Sequence, residues 1–166
     1  MTSNNNQNIL IIGLGNILLS DEGVGAKVID EFKRIYNVPN NIEMIDGGTL
    51  GIELFPYFQN RTKIIVVDAV QTGKEPGTIV KIKIPKNFSF QKTSSHQTSL
   101  LEVLNAAFLN GDELGDITVI GIQPENLKAG LSLSKNIEQN IGKLVDMIVE
   151  ELDAVGIKVE PKSVCI

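Results

Sequence analysis

The chain of 166 residues contains one cysteine, Cys165, and one histidine, His96. A single thiol makes neither a disulfide framework nor a paired-cysteine metal site, and its place next to the chain end is a poor one for a nucleophile. A reduced, cytoplasmic protein is the expectation. Basic charge is also in short supply: 15 lysines and arginines against 20 acidic residues leave a net charge of -5. The basic residues are scattered, so neither nucleic acid nor an anionic membrane is expected as the main partner. No apolar run reaches the length of a membrane span. The opening MTSNNNQ lacks a basic region, and the apolar stretch behind it is too short for a signal sequence. Repeats, low-complexity tracts and linkers are absent, and the length suits one domain. Residues 1–166 thus read as a single domain with a disordered-like head at 1–7 and a loosely held tail at 156–166.

What is present is alternation. Residues 8–13 read as a buried first strand and 22–36 as the following helix, with Val24, Val28, Phe32 and Ile35 at helical spacing. A second strand is expected at 41–46 and a short helix at 49–58, limited by Pro56. The most apolar strand, at 63–70, belongs in the centre. A Glu-Pro-Gly turn at 75–77 leads into 78–84, whose period-two alternation marks an edge strand that could fold back as an antiparallel hairpin onto the third. A helix at 99–109, a last core strand at 116–123 and a long amphipathic helix at 134–155 complete the pattern. This order predicts a three-layer, doubly wound α/β fold. Its five-stranded sheet is mostly parallel, with helices on both faces and one antiparallel edge strand.

Sheets of this kind place their sites at the carboxyl ends of the strands, near the topological switch point. That edge collects residues 13–16, 46–49, Asp68 and Gln123. The stretch GLGNILLSDEGVG at 13–25 begins like a dinucleotide fingerprint, but Leu18 stands where G-x-G-x-x-G needs its third glycine. Glu22 would fall in the first helical turn, where a carboxylate competes with a phosphate for the same helix N-terminus. Asp46 ends the second strand, where a ribose-binding acid often lies, and keeps the nucleotide reading open. Glu22 has a plainer explanation as well: Ser20 or Asp21 caps the helix and Glu22 complements its dipole. Asp68 follows four aliphatic residues in a strand covered on both faces, so an ionised carboxylate there needs a metal, another partner or a loop amide. His96, in the polar loop TSSHQTS, taken alone reads as a solvated side chain. Together, Glu22, Asp68 and His96 supply two oxygens and a nitrogen to a borderline divalent cation and leave coordination positions open.

Five blocks, GLGNILLSDEGVG, DGGTLGIEL, VVDAVQTGKEPGTI, SSHQTSLLEVL and VIGIQPENL, occur in this order. They resemble the hydrogenase maturation endopeptidases, which trim the large subunit of nickel–iron hydrogenases. The resemblance runs from about Ile9 to the closing helix. It implies a doubly wound fold and a metal-binding trio of Glu22, Asp68 and His96. Asp46, Gly47, Gly48 and Thr49, together with Asn16, would border the cleft for the substrate's C-terminal segment. The implied partner is the nickel-loaded precursor of a hydrogenase large subunit, cut once nickel is in place, by a monomeric enzyme. Nickel would arrive with the substrate, and zinc or cadmium would also suit such donors. His96 has to be neutral to bind, so metal binding is expected to weaken as pH falls through its pKa. For the cleavage itself, a water activated by the metal, or by Asp46 or Asp68, is more economical than a serine, threonine or cysteine nucleophile. Two other readings stand beside this one: a nickel-dependent chaperone that docks without cutting, and a flavodoxin-like nucleotide-binding protein.

Overall fold

In the computed structural model, which describes residues 6–86 and 99–164, the chain opens with β1 (Ile9–Leu14), α1 (Val24–Ile35), β2 (Tyr36–Asn37) and β3 (Ile42–Gly48). There follow α2 (Phe55–Phe58), β4 (Lys63–Ala69), β5 (Ile79–Ile84), α3 (Ser99–Asn110) and β6 (Asp116–Ile122). The chain closes with α4 (Lys135–Glu138), α5 (Ile141–Ala154) and β7 (Glu160–Pro161). Single 3-10 turns, Ser20–Gly23 and Gly51–Leu54, lead into α1 and α2. Five strands form one sheet in the order β3-β1-β4-β6-β5. The first four run parallel and β5 is antiparallel to β6.

The mostly parallel sheet with an antiparallel edge is as expected, but the neighbour of that edge strand is not. β5 pairs with β6 rather than folding back onto β4, so the chain leaving β4 steps across the position that β6 fills later. Alternation identifies an edge strand; it carries no information about which strand lies beside it.

The central strands are apolar on both faces because helices cover both. On one side Ile9, Ile11, Ile65, Val67, Ile120 and Ile122 pack against the buried faces of α1 and α5. On the other, Leu10, Ile12, Ile64, Val66, Ile117 and Val119 meet Leu54, Phe58 and Val103. Helix α1 approaches closely where two glycines face each other: a Cβ on Gly13 would lie 2.5 Å from the Gly25 backbone. Among the described residues, no helix is long and apolar enough to cross a membrane.

Two further expectations change. The closing helix is broken, because Asn140 donates its side-chain amide to the Asn136 carbonyl at 2.8 Å while its backbone N–H turns to Ile137 at 3.0 Å. The apolar stripe nevertheless runs on through Ile137, Leu144, Ile148 and Leu152, which made one long helix the natural reading. The expected loose tail is tied down through most of its length. β7 pairs antiparallel with β2, the Lys162 N–H donates to the Ile35 carbonyl at 2.7 Å, and Ile157 and Val159 pack on the core.

Toward the amino-terminal edge of the parallel strands lies a buried ionic cluster. The Lys63 ammonium, on a side chain 9% exposed, donates to Glu151 Oε2 at 2.6 Å and to Thr118 Oγ1 at 3.1 Å. Lys81 reaches Glu151 Oε1 at 2.9 Å. Burial alone would raise the Glu151 carboxyl, but hydrogen bonds and charge from Lys63 and Lys81 outweigh it and bring the group down to about 2. The cluster clamps α5 to three strands at the end of the sheet away from the residues described next.

Candidate functional site

The turn after β1 is built on Gly15, whose φ of 119° is open to glycine and strained for other residues. Its N–H donates to the Gly48 carbonyl at 3.0 Å, joining the loops that follow β1 and β3. A Cβ at Gly15 would lie 2.0 Å from the Glu22 carbonyl oxygen and 3.6 Å from Asp68 Oδ1. The glycine is therefore needed so that the Glu22 turn can fold down onto the end of β4.

Asp68 is half-buried at that end. Burial pushes its carboxyl up to about 7; a hydrogen bond from the Ala69 N–H works the other way, and the negative charge of Glu22 adds to the rise. The structure thus brings the carboxyl groups of Glu22 and Asp68 to the same strand end, close enough for the charge of one to act on the other. His96 and Cys165 lie outside the described residues. Among the described residues no three His, Cys, Asp or Glu side chains gather as a metal-binding group, the third expected donor being His96.

Asp46 is exposed, and its Oδ1 accepts the Gly48 N–H at 3.0 Å in a local turn. It aligns with Gly13 of β1, which in turn aligns with Val67 of β4. Two strand spacings, about 10 Å, thus separate Asp46 from the end of β4. Asp46 and Asp68 are two stations on one edge, not an adjacent carboxylate pair. Asn16 Oδ1 accepts the Leu18 N–H at 2.9 Å, and Gly47, Gly48 and Thr49 continue the β3 edge. The residues named for substrate binding therefore sit on two adjoining loops.

The nucleotide alternative meets an obstacle here. The amides of Ser20 and Asp21 donate to the carbonyls of Gly130 and Asn126, those of Glu22 and Val24 to Leu19 and Asp21. Four of the amides that a phosphate would meet at this helix start thus already have partners inside the protein.

Ser20 and Asp21 do not cap α1. They reach across to the segment between β6 and α4. Asp21 is 0% exposed and accepts hydrogen bonds from the backbone of Glu125 (2.9 Å), Asn126 (2.8 Å) and Ser134 (2.6 Å), and from the Ser134 hydroxyl (2.8 Å). Burial works to raise this carboxyl, but the donors from Ser134, Asn126 and Glu125 prevail and hold it below the usual carboxylate range. Sequence reading missed this clasp because its partners lie more than a hundred positions away. Asp21→Ala is expected to cost about 2–3 kcal/mol, since buried donors lose a charged acceptor. Urea unfolding would measure the loss, and limited proteolysis should show earlier cleavage within 125–134. Asp21→Asn, which keeps one acceptor, should cost less.

Gln123 anchors a fourth loop. Its side-chain oxygen accepts the Thr72 N–H (2.6 Å), the Thr72 hydroxyl (2.9 Å) and the Gly73 N–H (3.1 Å), fixing the turn after β4. Segments following β1, β3, β4 and β6 are thereby bound to one another around the carboxyl edge.

Known proteins resemble this chain in sequence and in fold. A family model described as hydrogenase maturation protease matches residues 26–151. The chain is 36% identical over 166 residues to a hydrogenase expression/formation protein, HupD, of Bradyrhizobium diazoefficiens, covering 98% of this chain and 86% of that one. It is 33% identical over 159 residues to the hydrogenase 2 maturation protease of Escherichia coli, covering 93% and 96% of the two. The solved structure of the hydrogenase maturating endopeptidase HybD from E. coli superposes with a TM-score of 0.85 at 30% identity, over 94% of this chain and 98% of that one. Fold and near full-length similarity agree, and the chain belongs to the hydrogenase maturation protease family.

Proposed function

We propose that this protein removes the C-terminal extension from the precursor of a nickel–iron hydrogenase large subunit after nickel insertion, recognising the metal through Glu22, Asp68 and His96. The observation that carries the reading is the anionic pair at the carboxyl edge. Asp68 is held up to about 7 by burial and the adjacent Glu22 charge, so a cation is the partner that would relieve it. Two carboxylate oxygens and an imidazole suit nickel and leave positions for ligands that the precursor brings. Zinc or cadmium would fit the same donors. In this reading nickel belongs to the substrate, and the protease acts as a cytoplasmic monomer. Held there, the metal would supply Lewis-acid polarisation, and Asp46 or Asp68 would be the bases able to take a proton from the attacking water.

The test is incubation with a large-subunit precursor, nickel-loaded in one reaction and metal-free in the other. Mass spectrometry should show loss of a C-terminal peptide from the loaded form alone. A stable complex with unchanged precursor mass would replace this reading with a non-cleaving chaperone. Equal cleavage of both forms would remove metal recognition from it.

A further inference from the structure

Five large aliphatic side chains stand exposed on the loops that frame the Glu22–Asp68 pair: Ile17 (51%), Leu18 (58%), Leu50 (52%), Ile52 (59%) and Leu131 (72%). They come from three segments far apart in sequence, and the backbone stitches those segments together. The Gly15 N–H to Gly48 carbonyl bond sets the loop of Ile17 and Leu18 beside that of Leu50 and Ile52. On the other side, the Gly130 N–H donates to the Leu18 carbonyl at 2.9 Å and the Ser20 N–H to the Gly130 carbonyl at 2.9 Å, which seats Leu131 next to Leu18. The Asp21 clasp locks this second junction. These loops are therefore held in place while leaving their apolar side chains in water. Apolar side chains left in water on neighbouring, fixed loops favour burial against a partner, so this group of five marks an interaction surface.

We infer that this apolar rim is the docking surface for the precursor polypeptide, and that it takes an apolar face of the precursor surrounding the bound cation. The inference rests on the function proposed above and adds the surface that delivers the metal. Charge complementarity selects the occupant. The rim flanks the acidic groups of Glu22 and Asp68, with Asp46 two strands away at the end of β3. A second copy of this chain would set two sets of these acidic groups face to face, whereas a polypeptide carrying a cation inside an apolar surround matches both parts. Closing the rim would also exclude water and so strengthen the attraction between the cation and the carboxylates.

The experiment uses Leu18→Asp, Leu131→Asp and the double variant, with Leu109→Asp as control. Leu109 is an exposed leucine near the end of α3, away from the rim. Binding of the nickel-loaded precursor and its cleavage are both measured, and sedimentation is followed over a range of concentrations. Each rim variant should raise KM and the dissociation constant about tenfold, and the pair more than either alone but less than a hundredfold because the two leucines are neighbours, with kcat at saturation unchanged and the control matching wild type. Rim variants that bind and cleave like wild type would overturn the docking surface and leave the proposed function standing. A control as impaired as the rim variants would overturn it too. A wild-type dimer dispersed by Leu18→Asp would reassign the rim to self-association. Wild-type protein that neither binds nor cuts the precursor would overturn the proposed function and this inference together.

Discussion

Asp68→Asn should lower kcat/KM for cleavage of a nickel-loaded precursor by about a hundredfold or more while leaving the protein as thermally stable as wild type. The reasoning starts from the cost of the charge. Asp68 is half-buried beside Glu22, and both burial and that neighbour oppose its ionisation. Asparagine keeps the shape and removes the opposed charge, so folding loses nothing. It also removes an anionic oxygen from the set that would meet the cation, and a metal that polarises a reacting group supplies several kcal/mol of transition-state stabilisation. Glu22→Gln should act in the same direction. The double variant should lose little more than either single change, because the two carboxylates serve one cation. Single-turnover cleavage with melting curves on the same samples checks the point. Normal cleavage by Asp68→Asn would take that carboxylate out of metal recognition.

Glu151→Ala is the substitution with the largest expected effect on stability. It leaves the Lys63 ammonium 9% exposed with Thr118 Oγ1 as its remaining partner in the cluster. Stranding a buried charge in this way costs about 3–5 kcal/mol. At about 2–4 °C per kcal/mol for a chain of this size, the midpoint of thermal unfolding should fall by roughly 10 °C. Replacing Lys63 and Glu151 together by methionine should recover much of the loss, since a pair exchanged for apolar volume leaves no orphan charge. The cluster also sets the acid limit. The Glu151 carboxyl is depressed from 4.5 to about 2 in the folded protein, so its contribution is complete above the unfolded value. It is lost as pH falls through the window from about 4.5 to about 2. Urea titrations across that window should give a steep slope for wild type and a shallower one for Glu151→Gln.

The sheet and the carboxylates were legible for the same reason: both leave local marks. The three inner strands β1, β4 and β6 announce themselves as short aliphatic runs because helices cover both faces, and the edge strands β3 and β5 as partial alternation. The pairing of β5 with β6 left no such mark, since it depends on a strand formed some thirty residues later. Asp21 and Glu151 illustrate the limit most clearly. Each looks like an ordinary acid on an ordinary helix segment, and each is bound to groups brought near only by the complete fold. Tail residues 157–162 read as loose because they approach the chain end, and the strand that ties them down lies more than a hundred positions earlier. Of the three residues expected to hold a metal, Glu22 and Asp68 lie at the same strand end and His96 falls outside the described residues.

The ribbon of β2 and β7 has a practical use. It sits at the far end of α1 from Glu22, and a helix of twelve residues puts about 18 Å between them. A fluorophore or a surface-immobilisation linker attached near Val164, which is 85% exposed, would therefore be held by a backbone bond to α1's last residue yet stand clear of the loops proposed as the docking rim.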